Sequence, residues 1–95
     1  MKKFKIINKV VKYDGPAAWY FVHTDKKLTA QLRDIKSKRG WGSIKVKAKI
    51  GKTSWATSLF PNTRDQDYII AIKAAVRHKE GVDEGDTAMI ECTIQ

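Results

Sequence analysis

One cysteine, two prolines and no long apolar run are what this 95-residue chain has to offer, and each scarcity closes off a class of explanation. The lone thiol, Cys92, cannot form an internal disulfide and fits a reducing compartment. No stretch approaches the roughly 18 consecutive apolar residues that a membrane-spanning helix requires. The opening MKKFKIINKVVKY has the basic start of a signal peptide, but Lys5, Lys9 and Lys12 break any apolar core behind it. A cytoplasmic protein is therefore expected. Acidic residues are scarce too, with 10 Asp and Glu against 19 Lys and Arg and a formal charge of +9. The excess is local: through Lys52, 15 Lys and Arg meet only 3 Asp, whereas from Thr53 onward there are 4 against 7. Such asymmetry points to an acidic partner for the first half, or else to a solubilising coat.

Soft metal ligands are nearly absent. His23, His78 and Cys92 show no short metal-binding spacing, so neither metal nor cofactor is expected, and Cys92 reads as an inert small hydrophobe. Gly51-Lys52-Thr53-Ser54 resembles the end of a phosphate loop, but Val46 stands where that motif needs another glycine, and a strand follows where it needs a helix. Ser58 is nearest to lysines and has no base tied to it by sequence. With no catalytic constellation, an enzyme is not expected.

What is present is organised around residues 42–61, GSIKVKAKIGKTSWATSLFP. Ile44, Val46, Ala48 and Ile50 alternate with Lys45, Lys47 and Lys49, the period of a half-buried antiparallel strand. Gly51-Lys52 suits a type II′ turn with glycine first. Pairing Ile50 with Thr53 places Ala48 opposite Trp55, Val46 opposite Thr57 and Ile44 opposite Leu59, with the lysines outward. A one-residue slip would bury that lysine row, so the register is strongly specified. Pro61 is expected to close the second arm.

In chain order, Lys3 to Tyr13 reads as a strand whose alternation breaks at Ile6-Ile7 and Val10-Val11, which predicts a bulge or a doubly covered stretch. Trp19 to Val22 is a short aromatic strand. Thr24 or Asp25 can cap a helix carrying Leu28, Leu32 and Ile35 on one face. Lys36 to Gly40 is expected as a basic exit loop. Beyond the hairpin come a polar loop over 62–66, a strand over Tyr68 to Ala71, a helix over Lys73 to Lys79 with Val76 inward, and a last strand. In that strand Ala88, Ile90, Cys92 and Ile94 alternate with Thr87, Met89, Glu91 and Thr93. Each half thus runs long strand, short strand, helix, strand. The helices are too few and too short to cover a doubly wound parallel sheet. The expected fold is mainly β, a single β-barrel domain over 1–95 with six or seven antiparallel strands, two short helices and pseudo-duplicated halves.

Three blocks carry a resemblance: Trp55-Ala56-Thr57-Ser58-Leu59-Phe60-Pro61; the run from Tyr68 through Ile72 and Lys73 to Arg77; and Gly85-Asp86-Thr87. Together they resemble the family catalogued as domain of unknown function 1905. The resemblance implies a double-split β-barrel, the fold of the swapped-hairpin transition-state regulators completed here within one chain, and hence a monomer. The sequence departs from the family in having Gly51-Lys52 in place of the usual Asn-Gly turn, and residues 62–66 in place of a glycine-rich loop.

Two binding sites are candidates. Lys73 and Arg77, four residues apart at the barrel mouth, are placed to clasp a small anionic ligand or peptide, with Ser58 and Trp41 as further members. Against this, both cations have Asp83, Glu84 and Asp86 nearby in sequence to pair with. The alternative is sequence-nonspecific nucleic-acid binding, with Lys36, Lys38, Arg39, Lys45, Lys47, Lys49 and Lys52 tracking phosphates and Trp41 stacking on a base. Trp19, Trp41 and Trp55 could frame an aromatic pocket, although tryptophan in a small barrel usually belongs to the core; Trp41, between Gly40 and Gly42, is the one expected at the surface.

Overall fold

The lysine-striped segment folds as expected into the hairpin of β3 (Ile44–Ile50) and β4 (Thr53–Asn62). A computed structural model describes residues 3–14, 19–39 and 42–95, with the side chains of 36–39 outside the described set. Ile44 pairs with Leu59, Val46 with Thr57, Ala48 with Trp55 and Ile50 with Thr53, the register dictated by alternation. Gly51 has φ +57° while Lys52 stays on the negative side, as a type II′ turn requires. Ile44, Val46, Ala48 and Ile50 are buried and the three intervening lysines exposed.

Around this hairpin lie β1 (Lys3–Tyr13), β2 (Trp19–His23), β5 (Asp67–Ala71) and β6 (Thr87–Ile94), with helices α1 (Lys26–Arg39) and α2 (Ala74–Glu80). The six strands close into an antiparallel barrel in the order β1-β2-β5-β4-β3-β6. Exchanging β1 with β4, β2 with β5 and β3 with β6 leaves this ring unchanged, so the repeat of element order is a repeat in space. At the contact between the halves, Thr24 N–H donates to Tyr68 O at 3.0 Å and Ile72 N–H to Tyr20 O at 2.9 Å. The second bond is the first with the halves exchanged.

Antiparallel pairing all round puts the end of β1, the start of β2, the hairpin turn and α2 at one mouth of the barrel. The end of β2, the start of β5 and α1 lie at the other. Leu28 and Leu32 of α1 plug their mouth and Val76 of α2 plugs the opposite one. Between them Ile6, Val22, Val46, Leu59, Ile70, Ile90 and Cys92 fill the interior. Asp25 Oδ1 accepts from Leu28 N–H at 2.7 Å and so caps α1. Thr24 supplies a second device. Thr29 Oγ1 donates to Asp25 O, so the buried hydroxyl pair must run Thr24 to Thr29, and Thr24 Oγ1 in turn accepts from Tyr68 N–H. That chain ties α1 to β5.

Four expectations are corrected. β1 has no bulge: Lys3 to Lys9 pair continuously with Thr93 to Thr87, and pairing then passes to β2. At Val10-Val11 the expected cover on both sides is present in part, with Val10 buried and Val11 half-buried. The Ile6-Ile7 doublet is resolved by leaving Ile7 outward, opposite Met89, both of them exposed. The expected basic loop over 36–39 is helical, because α1 continues to Arg39; Lys, Ser and Arg there do not oppose a helix. Pro61 does not end β4. It pairs with Tyr68, and β3 begins only opposite Leu59, so from Phe60 onward β4 has β5 as its one strand neighbour. An edge is where a residue without an N–H is tolerated. Finally, Trp55 is core at 8% exposure but Trp19 is not, at 57%. Trp19 takes an outward position on β2, two residues from outward-facing Phe21, whereas Val22 points in.

Candidate functional site

The lysine row on β3 is half of a wider basic face. β6 separates β3 from β1, and the registers align the outward residues of four strands into rows. One row reads Lys3, Thr93, Lys47, Ala56 and the next Lys5, Glu91, Lys49, Ser54. Lys45 adds a further cation opposite Ser58. Five exposed lysines therefore stand on two strands about 10 Å apart, the width of two strand spacings. Within this patch Glu91 is the one carboxylate, directly opposite both Lys5 and Lys49, and it closes an ion pair with neither. Lys3 and Lys5 were beyond the reach of alternation alone, which cannot say that β1 lies beside β6.

Further along β1 the outward positions change character. Tyr13 pairs with Trp19, and the Trp19 and Phe21 rings stack at 6.0 Å with planes 7° apart. Tyr13 meets Phe21 at 5.2 Å in a tilted contact. The Tyr13 hydroxyl lies 3.3 Å from His23 Nε2, and His23 Nδ1 lies 3.0 Å from Asp67 Oδ2. Asn62 donates to both Asp67 Oδ1 and Asp65 Oδ2, and Asn8 donates to the His23 carbonyl. Nδ1 shares one hydrogen bond with the Asp67 carboxylate and Nε2 another with the Tyr13 hydroxyl, so both ring nitrogens are engaged. Sequence reading missed this group: His23 and Asp67 are 44 residues apart, and only the pairing of β2 with β5 joins them. An aspartate-oriented histidine beside a hydroxyl is the geometry of a general base. Here the hydroxyl is a tyrosine's, and the arrangement pins that ring in place.

At the α2 mouth, Lys73 is the residue before the helix, extended at φ −62° and ψ 149°, and its carbonyl accepts from Arg77 N–H at 3.0 Å. Arg77 lies over the Tyr20 ring, 3.6 Å from its centroid, and Lys12 Nζ is 5.9 Å from the same ring. Among the described residues the buried Nε of Arg77 has no hydrogen-bond partner. Asp83 and Asp86 do not serve it: they accept backbone N–H bonds within their own turn, from Glu84 and Asp83 respectively. Among the described residues no ion pair joins Lys73 or Arg77 to Asp83, Glu84 or Asp86.

The other candidates scatter. Ser58 lies mid-strand, five residues along β4 from Thr53, whose hydroxyl bonds Glu80 of α2 at 2.6 Å. That is about 17 Å of strand, so Ser58 belongs with the lysine face and not with α2. Lys52 is exposed at the hairpin turn. Lys36, Lys38 and Arg39 fall on the last turns of α1, where their side chains lie outside the described set, and Trp41 lies outside the described residues altogether. Cys92 is buried, and burial pushes its thiol pKa up to about 12. Among the described residues no three His, Cys, Asp or Glu gather where they could hold a metal ion, and no helix is long and apolar enough to cross a membrane.

A closed barrel of two like halves, with the three sequence blocks on β4, on β5 and α2, and at the start of β6, defines the class. The family model described as domain of unknown function (DUF1905) matches residues 8–92, and the chain belongs to that family. No curated protein matches the chain.

Proposed function

We propose that this barrel is a non-enzymatic binding module whose basic face takes the sugar-phosphate backbone of nucleic acid without reading sequence. The observation that carries the reading is the pair of in-register rows in which four lysines, with Lys45 beside them, surround the single carboxylate of Glu91. Alternate residues on a strand are about 6–7 Å apart, close to twice the 3.4 Å rise per nucleotide of one duplex strand. The barrel acts as a monomer in this reading, because one chain supplies both halves of the closed ring. Binding is weak and falls steeply with salt. Replacing Lys45, Lys47 and Lys49 by Gln lowers the slope of log K against log salt by up to about 3, and replacing Lys3 and Lys5 by up to about 2. An unchanged slope in both variants, or no binding by the parent at low salt, would refute it.

A second reading is favoured by the partnerless Nε of Arg77: a small anionic ligand or the carboxylate of a peptide at the α2 mouth, held by Arg77 with Lys73 and Lys12 around Tyr20. Titrating phosphate or acetate should then move the Arg77 Nε resonance saturably. A linear drift with ionic strength alone would dismiss this site.

A further inference from the structure

The outward side of β1 runs Lys3, Lys5, Ile7, Lys9, Val11, Tyr13, so a cationic stretch leads directly to the aromatic group on β1 and β2. Trp19 is covered on one face by Phe21 and is 57% exposed, an expensive display of apolar surface for a free-standing barrel. The group is also held rigidly. Tyr13 is fixed through His23, Asp67 and Asn62, a chain of hydrogen bonds crossing β1, β2, β5 and β4. Rigid rings presented beside a row of ammonium groups form the combination that accepts an unpaired base while its backbone is neutralised. Paired bases in a duplex are stacked on one another and cannot offer a face to Trp19.

Resting on the nucleic-acid reading above, we propose that the preferred ligand is single-stranded nucleic acid. Its backbone follows Lys3, Lys5 and Lys9 along β1, and a base stacks on the free face of Trp19. Tyr13 and Phe21 support that ring, and His23 with Asp67 acts as a positioning pair for Tyr13. The excess of positive charge in the first half of the chain suits this partner.

The test is fluorescence anisotropy with labelled oligo(dT) and oligo(U) of about ten nucleotides, a duplex of equal length and polyglutamate as competitor, all at one low salt concentration. The expected result is tighter binding to the single strands than to the duplex, and quenching of tryptophan fluorescence by the single strands. Trp19→Ala should weaken single-strand binding about 5- to 100-fold, on the scale of one lost base stack, with duplex binding and the salt slope unchanged. Trp19→Phe should retain most of the single-strand affinity. Because Trp19 is exposed, both variants should fold, which circular dichroism checks. Equal binding of both forms with no effect of Trp19→Ala overturns the single-strand preference and leaves the lysine face standing. Equal competition by polyglutamate overturns the stacking role. No binding to either form overturns both readings.

Discussion

The guanidinium of Arg77 sits 3.6 Å from the centre of the Tyr20 ring, joining α2 of the second half to β2 of the first. Its Nε is buried with no hydrogen-bond partner among the described residues, and the stacking on the ring is a contact that depends on a planar cation. Lysine carries the same charge but has no planar group to lay on a ring. Arg77→Lys should therefore cost about 1 kcal/mol in urea denaturation, and so should Tyr20→Leu. The double variant should cost clearly less than the two together, by about 0.5 kcal/mol or more. Simple additivity would show the contact to be incidental.

Trp55 faces Ala48 across the hairpin, in the core, with its indole N–H lacking a partner among the described residues. Trp55→Ala should cost about 3–5 kcal/mol, as for other buried aromatics. Trp55→Phe should cost much less, about 1 kcal/mol, because removing an unsatisfied donor offsets part of the lost volume. Chemical denaturation of the two variants checks both figures, and equal losses would place the indole N–H in a hydrogen bond.

Burial raises the thiol of Cys92 to about 12 from an ordinary 9.0 and also raises the Tyr68 phenol, which Arg33 only partly opposes. Both groups are acids that the fold keeps protonated. The unfolded chain releases these protons first, so stability is at its full value below about pH 9 and falls as pH climbs toward 12. Native protein at pH 8 should react with a thiol reagent only at the rate of unfolding, whereas urea-unfolded protein reacts at once. Fast labelling of the folded protein would contradict the burial.

Glu91 offers a gain-of-function check. Glu91→Gln removes the one carboxylate between Lys5 and Lys49 and should tighten nucleic-acid binding by about 0.5–1 kcal/mol at low salt, on the scale of an exposed charge contact. Weaker binding by this variant would mean that the patch is not the interface.

How much of this was legible follows from which forces are local. Strict alternation from Ile44 to Ile50 and a glycine-first turn set the β3–β4 register residue by residue, because a slip would bury Lys47. The order of elements was readable too, and with it the two-halved barrel. The path of β1 was not. Doublets such as Ile6-Ile7 suggest a bulge, yet Ile7 simply remains outside, since a barrel strand can expose one isoleucine at small cost. The sites were less legible than the fold. Lys45, Lys47 and Lys49 announced themselves by spacing, but Lys3 and Lys5 join them only through β6. The Tyr13, His23 and Asp67 group exists only because β1, β2 and β5 are neighbours. Trp19 was expected inside on residue type, and its parity on β2 places it outside.

The most direct measurement is an amide chemical-shift titration of the labelled protein with an unlabelled oligonucleotide at low salt. If the basic face is the interface, the shifts concentrate on Lys3, Lys5, Glu91, Thr93 and Lys45 through Lys49, and they fade as salt is added. Shifts confined to α2 around Lys73 and Arg77, or no shifts at all, would contradict it.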